Sequence, residues 1–304
     1  MRNDHGHGLA EDLKAMDALV ARRRALQWFA GAGTAALVTA CGGSGGSSSG
    51  VTVVTGSASP TPTPTPTATV TATPTPTPTA TATTTGCITD PTETNGPYPA
   101  DGTNTSSGST SNALTATGIV RSDIRSSFLG SSTTVATGVQ LTLTLTLVNV
   151  NASCAPLAGF AVYIWCCDRQ GLYSLYTAPA ESYLRGVQVS DANGQVTFTM
   201  IFPGCYDGRW PHIHFEVFSS LSAATSGRYA SLVSQLAMPS AACNTVYADT
   251  ATYPSSATNF ARISLSADNV FGDNSSAQIA QQTPTLTGSA SAGYTGTAII
   301  GLAR

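Results

Sequence analysis

The chain has 304 residues, 17 of them Pro and 29 Gly, and only 10% are charged. Soluble domains carry about 25% charged residues, so part of this chain is low-complexity sequence. Basic and acidic side chains number 13 and 16, a net charge of −3, with no basic stripe for nucleic acid and no apolar run of the ~20 residues that span a bilayer. A transporter, a coiled coil and a DNA-binding protein are excluded, which leaves one medium-sized globular domain with long appendages.

Residues 1–41 read as an export signal. Arg22, Arg23 and Arg24 precede an apolar, small-residue stretch from Ala25 to Ala40 that is too short to cross a membrane. Arg22-Arg23 with Leu26 resembles a twin-arginine signal, although no Ser precedes the pair and no Phe or Lys follows it. Leu37-Val38-Thr39-Ala40-Cys41 resembles a bacterial lipobox, which implies a lipid on Cys41 and residues 1–21 as part of a discarded leader. The alternative is a plain secretory signal with an incidental Cys. The expectation is an exported protein, anchored to the cell envelope through Cys41 alone, with its domain outside the cytoplasm.

Residues 42–86 hold a Gly/Ser spacer and Thr-Pro repeats from Thr61 to Thr79. Such chain favours extended, polyproline-like conformations and has too few apolar side chains to offset its ordering entropy. It is expected to be a disordered stalk.

Residues 87–304 form the domain, and its patterning is β. Val139, Leu141, Leu143, Leu145 and Leu147 alternate with polar residues, as a strand with one buried face does. Phe160–Trp165 is apolar on both faces and predicts a central strand. Val187–Val189 and Val196–Phe202 flank Asp191-Ala192-Asn193-Gly194, whose Asn-Gly predicts a hairpin. His212–Phe218 predicts a further strand, Leu221–Leu236 has a helical look, and Tyr247–Ala261 reads as loop. Ile279–Leu302 supplies a closing strand, while Asp268-Asn269-Val270-Phe271 is either structural or shapes a site. The expected class is all-β: a β-sandwich of mainly antiparallel strands with little helix.

After Cys41 the domain keeps six cysteines: Cys87, Cys154, Cys166, Cys167, Cys205 and Cys243. An even number in an exported domain predicts disulfides, whose pairing the sequence leaves open. Adjacent Cys166 and Cys167 point to opposite faces of a strand and so take different partners. Their spacing matches no zinc-finger pattern.

Of four histidines, only His212 and His214 lie in the domain. Period two puts both imidazoles on one strand face, within reach of one metal ion, or else packed as ordinary core histidines. A third His ligand is excluded, so a metal here needs oxygen or sulfur donors. Tyr206 lies in a Pro/Gly-bent loop just upstream, and Tyr173 follows the Phe160–Trp165 strand. Each alone reads equally as a half-buried aromatic.

Taken in order, Glu93-Thr94-Asn95-Gly96-Pro97-Tyr98, Val162-Tyr163-Ile164-Trp165, Gly171-Leu172-Tyr173, Tyr183-Leu184-Arg185-Gly186-Val187-Gln188, Phe202-Pro203-Gly204-Cys205-Tyr206 and Arg209 to Val217 resemble the intradiol ring-cleaving dioxygenases, the catechol and protocatechuate family, in its exported branch. The resemblance runs from Thr92 to about Pro239. It implies one non-haem Fe(III) per chain held by Tyr173, Tyr206, His212 and His214. It also implies O2-dependent cleavage of an aromatic diol between its hydroxyl-bearing carbons to a cis,cis-muconate. Hard ferric iron favours anionic oxygen donors and accepts imidazole, consistent with that set.

By the same resemblance Tyr206 is the tyrosinate displaced by substrate. Arg209 stabilises charge on the ring in the manner of an oxyanion hole, Gln235 resembles the family's pocket glutamine, and Pro97 and Tyr98 line the pocket. The sequence also departs from the family. The Tyr206-to-His212 loop is short, and Cys166 stands where exported relatives often carry His. With Lys14 the single lysine, counter-charges are few, which favours a catechol without a carboxylate. Two other classes remain: a non-catalytic β-sandwich binding module of the envelope, and a metallohydrolase using His212 and His214 with Asp207 or Glu216. The latter is in phase with both histidines and completes a two-His-one-carboxylate pattern.

Overall fold

The computed structural model describes residues 87–304; the expected export signal, Cys41 and the 42–86 stalk lie outside the described residues. Two sheets face each other. The first is built on β3 (Gln140–Asn149), flanked on one side by β11 (Gly293–Leu302) and then β10 (Thr285–Ser289), and on the other by β7 (Gln195–Ile201) and the short β4 (Ala155–Pro156). The second runs β6 (Arg185–Val189), β5 (Ala161–Trp165), β8 (His212–Phe218), β9 (Leu232–Ala237), antiparallel throughout. A separate hairpin pairs β1 (Asp101–Ser106) with β2 (Ser109–Asn112). The expected β-sandwich is thus present, with one parallel pairing, β11 on β3.

Strand alternation divides the apolar residues between two clusters. Leu141, Leu143, Leu145 and Leu147 of β3 meet Val162 and Ile164 of β5 and Ile213, Phe215 and Val217 of β8 in the layer between the sheets. The opposite side chains of β5, Ala161, Tyr163 and Trp165, lie on the outer face of the second sheet, packed with Tyr173, Val187 and Phe218. Covering that outer face with loops makes β5 buried along its whole length, as its doubly apolar sequence predicts.

Three expectations about the elements change. The Asn193-Gly194 turn forms, with Gly194 N donating to Asp191 O at 2.9 Å, but β6 and β7 do not pair; they belong to different sheets. Seven residues of β7 pair β3 instead, so its alternating side chains enter the inter-sheet layer. Leu221–Leu236 is not helical: two 3-10 turns, each capped by a serine, lead into β9, whose ladder with β8 outweighs the local helical pattern. Helices occur later, α1 (Ser240–Tyr247), α2 (Ser256–Phe260) and α3 (Ser276–Gln282), so the 247–261 stretch is not loop throughout.

Among the described cysteines only Cys87 and Cys154 are bonded, while Cys166, Cys167, Cys205 and Cys243 are free and buried. Cys166 and Cys167 do face opposite clusters, without partners. Buried thiols act as small hydrophobes, and burial holds their thiolates out of reach, raising Cys205 to about 12 and Cys167 well above its usual value. Exchange needs the thiolate.

Asp90 ties the start of the domain to β11. Its backbone N donates to Gly301 O at 2.9 Å, and its Oδ2 accepts from Gly301 N at 2.6 Å and Gln281 Nε2 at 3.3 Å. Burial raises its pKa from 3.8 to about 7, with the two hydrogen bonds opposing. The folded state therefore retains a proton that the unfolded chain releases, and stability falls as pH rises from about 4 to 7. Asp90→Asn removes that titration. Its urea midpoint is expected to fall less steeply across this window than that of the wild type; parallel curves would show that Asp90 does not carry the dependence.

Candidate metal centre

The pleat of β8 sends Ile213, Phe215 and Val217 into the inter-sheet layer and leaves His212, His214 and Glu216 on the outer face. On that face Trp165 and Gln235 are the cross-strand neighbours of His214. The Trp165 ring stacks on the His214 imidazole at 4.8 Å and 3°, which fixes the imidazole plane.

Two loops bring phenols to the same point. Asp168 organises the first: its Oδ1 accepts from Gln170 N and Leu172 N, and its Oδ2 from Tyr183 Oη. That loop delivers Tyr173, whose N is tied to Thr177 Oγ1. The second carries Tyr206 and lies against the first at Gly171, where a side chain is excluded: the backbone has φ +80° and an added Cβ would stand 2.9 Å from Tyr206 Cβ.

The polar atoms converge on His212 Nε2, with Tyr173 Oη at 3.2 Å, Tyr206 Oη at 3.2 Å and His214 Nε2 at 3.1 Å. His212 Nδ1 meets the Trp210 carbonyl, which can only accept, so Nδ1 carries the proton and Nε2 presents a lone pair. One lone pair cannot satisfy three polar neighbours. His214 Nδ1 is also buried without a hydrogen bond. The cluster is oversubscribed as a hydrogen-bond network and suited to a cation, since metal–ligand bonds of about 2.0–2.1 Å set neighbouring donors roughly 3 Å apart.

Electrostatics agree. Burial, then the Arg209 charge, lowers His212 to about 3, opposed by its bond to the Trp210 carbonyl. Burial, His212 and the two arginines Arg209 and Arg185 push His214 further down. Burial raises both tyrosines: Tyr206 also feels Cys167, against the opposing pull of Arg209, and Tyr173 feels Tyr206. Four neutral donors therefore face one another, and a bound cation inverts the logic by favouring phenolate. No group of three His, Cys, Asp or Glu that could hold a metal ion occurs among the described residues; the oxygen donors nearest the two imidazoles are Tyr173 and Tyr206.

Arg209 borders the cluster. Its Nε and Nη2 reach Asp268 at 2.9 and 3.3 Å, and Nη2 also donates to Gln235 Oε1 at 2.8 Å. Gln235 Nε2 in turn donates to Thr94 O at 2.9 Å, which pins the 93–100 segment across the site. Gly96 of that strap has φ +68°, and a Cβ there would stand 3.2 Å from His214 Cε1. Tyr98 packs on Tyr173 at 4.9 Å between ring centres, and Pro97 offers its carbonyl to Asn104 Nδ2 at 2.8 Å.

The structure thus brings together Tyr173, Tyr206, His212 and His214, with Arg209, Gln235 and Tyr98 around them and Pro97 in the same strap. The carboxylates of the hydrolase reading are placed differently. Asp207 is exposed. The buried Glu216 makes no hydrogen bond to an imidazole; burial, then the neighbouring Asp101, pushes its carboxyl well above the ordinary carboxylate range. The sequence leaves Asp268 either structural or site-shaping and gives Trp165 no role at the site. Asp268 lies 59 residues from its partner Arg209, a pairing that no local pattern encodes.

The outer face of the second sheet thus carries two histidines, and two loops bring two tyrosines to hydrogen-bonding distance of His212. Residues 122–240 match the family model described as "Dioxygenase". Over that segment the chain is similar to the dioxygenase family, whose members are oxidoreductases. Among solved structures, the dioxygenase Tetur07g02040 is 24% identical, with 72% of this chain and 95% of that chain covered and a TM-score of 0.52, which shows the fold. An intradiol ring-cleavage dioxygenase from Tetranychus urticae is 23% identical over 71% of this chain and 95% of that chain, with a TM-score of 0.49. The dioxygenase domain of a dioxygenase–carbohydrate-binding protein fusion from Streptomyces sp. SirexAA-E is 21% identical over 71% and 99%, with a TM-score of 0.42. No curated protein matches the chain.

Gly96→Ala tests the strap. A left-handed non-glycine residue costs about 1–2 kcal/mol, and the new methyl also presses on His214. The variant is expected to lose about that much in urea unfolding; wild-type stability would mean that the strap is free to move off the imidazole.

Proposed function

We propose that the domain is a non-haem Fe(III) dioxygenase that opens the ring of a catechol-type diol between its two hydroxyl-bearing carbons, using O2, to give a cis,cis-muconate. The observation that carries this reading is the convergence of two phenol oxygens and one imidazole nitrogen within 3.2 Å of His212 Nε2. Tyr173, Tyr206, His212 and His214 would hold the iron. Two phenolates reduce a +3 charge to +1, tolerable in a buried site once one more anion is bound. When bound, ferric iron makes a coordinated diol reactive toward O2.

The protein residues divide the remaining work. Tyr173 is buried at 1% exposure whereas Tyr206 is half-buried, so Tyr206 is the ligand that substrate can reach. Its Oη would be the group that accepts the proton of a substrate hydroxyl. Arg209 lies close enough to Tyr206 for its charge to act on that phenol, and there it offsets charge developing on the ring. Gln235 fixes Arg209, and Tyr98 with Pro97 forms the wall against which an aromatic ring lies. The Trp165 stack and the Gly96 strap keep the imidazole of His214 in plane and dry. We further propose export, with a lipid at Cys41 and the 42–86 stretch as a stalk.

Iron analysis and the visible spectrum of the purified protein test the assignment. Tyrosinate on Fe(III) gives a charge-transfer colour that a zinc site or bare histidines lack. About one iron per chain and a band shifted or bleached by Tyr206→Phe are expected, with turnover of catechol at least 100-fold lower in the variant. A protein that stays colourless after ferric reconstitution would sink the dioxygenase reading in favour of a binding module.

A further inference from the structure

Asp268 stands outside the segment 122–240 that matches the dioxygenase family, yet five donors converge on it. Besides Arg209 Nε and Nη2, it accepts from Trp210 N at 2.6 Å, Val270 N at 2.9 Å and Phe271 N at 3.2 Å. The carboxylate is 2% exposed and Arg209 is 8% exposed. Burial alone would raise the Asp268 pKa, but Arg209 beside it, with these hydrogen bonds, holds it below the ordinary carboxylate range. The pair is therefore a buried ion pair of zero net charge. A carboxylate with so many backbone donors is rigidly placed, and it fixes which edge of the guanidinium is spent.

The cationic side chains that act on His214 are Arg209 and Arg185. Arg185 has no edge left for a ligand. Its Nε donates to Ser174 Oγ, its Nη1 to Pro99 O and Tyr163 Oη, and its Nη2 to Tyr98 O and Ser174 O. Arg209 has spent Nε and Nη2 on Asp268 and Gln235, and only Nη1 is uncommitted.

We propose that Asp268 is a specificity-determining positioning residue. By clamping Arg209 it cancels the charge that would recognise an anion, so the site selects an aromatic diol without a carboxylate over a carboxylated one. This inference rests on the diol-binding site proposed above. Arg209 keeps one N–H edge for charge that develops on the ring, while a second, permanent anion finds no counter-charge and bears its desolvation cost alone.

Equilibrium titrations of the full-length protein decide the matter, using catechol, 3,4-dihydroxybenzoate and, for the metal-free protein, benzoate. Wild type is expected to bind catechol at least tenfold more tightly than 3,4-dihydroxybenzoate and to show no benzoate binding. In Asp268→Asn the selectivity is expected to narrow at least fivefold and benzoate binding to appear, whereas Asp268→Glu, which keeps the charge, retains wild-type selectivity. A merely structural role for Asp268 would weaken both diols alike and leave benzoate unbound. That result, or a wild type that prefers 3,4-dihydroxybenzoate, overturns the proposal. Should Asp268→Asn fail to fold, the wild-type comparison alone decides. If neither diol binds wild type, the diol site itself has failed; the benzoate arm still tests the clamp on Arg209.

Discussion

The two-residue pleat of β8 is the constraint on which the domain depends. Because alternate side chains leave a strand on opposite sides, Ile213, Phe215 and Val217 can close the sandwich only if His212 and His214 turn outward. Slipping the register by one residue would bury two imidazoles among leucines and expose three large apolar side chains. Position within the sheet matters equally. β8 sits between β5 and β9, so the His214 imidazole has Trp165 on one flank and Gln235 on the other. The sandwich core and the candidate centre are two faces of one strand, and the packing of one fixes the geometry of the other.

Burial explains the character of the donor cluster. Removing water disfavours every charged form, so the imidazoles are driven toward neutrality and the phenols away from ionisation. The result is an electron-rich knot without a proton donor for each lone pair. Such a knot is suited to a cation shared among the donors. The buried Arg209–Asp268 pair obeys the same rule in another way. Its two desolvated charges are tolerable because they face each other and Asp268 also accepts three backbone N–H bonds, whereas removing either partner would leave a charge stranded.

Legibility in the sequence followed range. Features written in local period were readable: the alternating leucines of β3, the doubly apolar β5 and the His212/His214 face each came from side-chain spacing alone. Ordered motifs then drew Tyr173 and Tyr206 to the same face, although they arrive on loops whose path no period encodes. What failed was non-local. The Asn193-Gly194 turn forms as its residues dictate, but which sheet each flanking strand joins depends on β3, about fifty residues upstream. The 221–236 stretch lost its helical look to the β8 ladder. Even cysteine number misled, since four of the six are free and buried in packed surroundings that raise their thiol pKa. Asp268 has no local signature, because its meaning lies in an arginine 59 residues away.

An active face on the outside of a sheet needs a roof, and the source of that roof has a consequence. The four donor residues all fall within the matched segment 122–240, but what covers them does not. Residues 93–100 cross the site from the N-terminal side. They are held by Glu93 N to Val233 O, by Gln235 to Thr94 and by Arg185 to Tyr98 and Pro99. Asp268 approaches from the C-terminal side through Arg209. Asn274 and Gln282 steady the far end of the strap through Glu93. The donor set and much of its cover are therefore drawn from different stretches of chain. The sheet and its two loops supply a donor set that tolerates little change, because each donor is fixed by core packing. The strap and the C-terminal loop are linked to it by hydrogen bonds rather than strand ladders. On the function proposed above, it is this cover, and not the donor set, that meets the substrate's ring and charge.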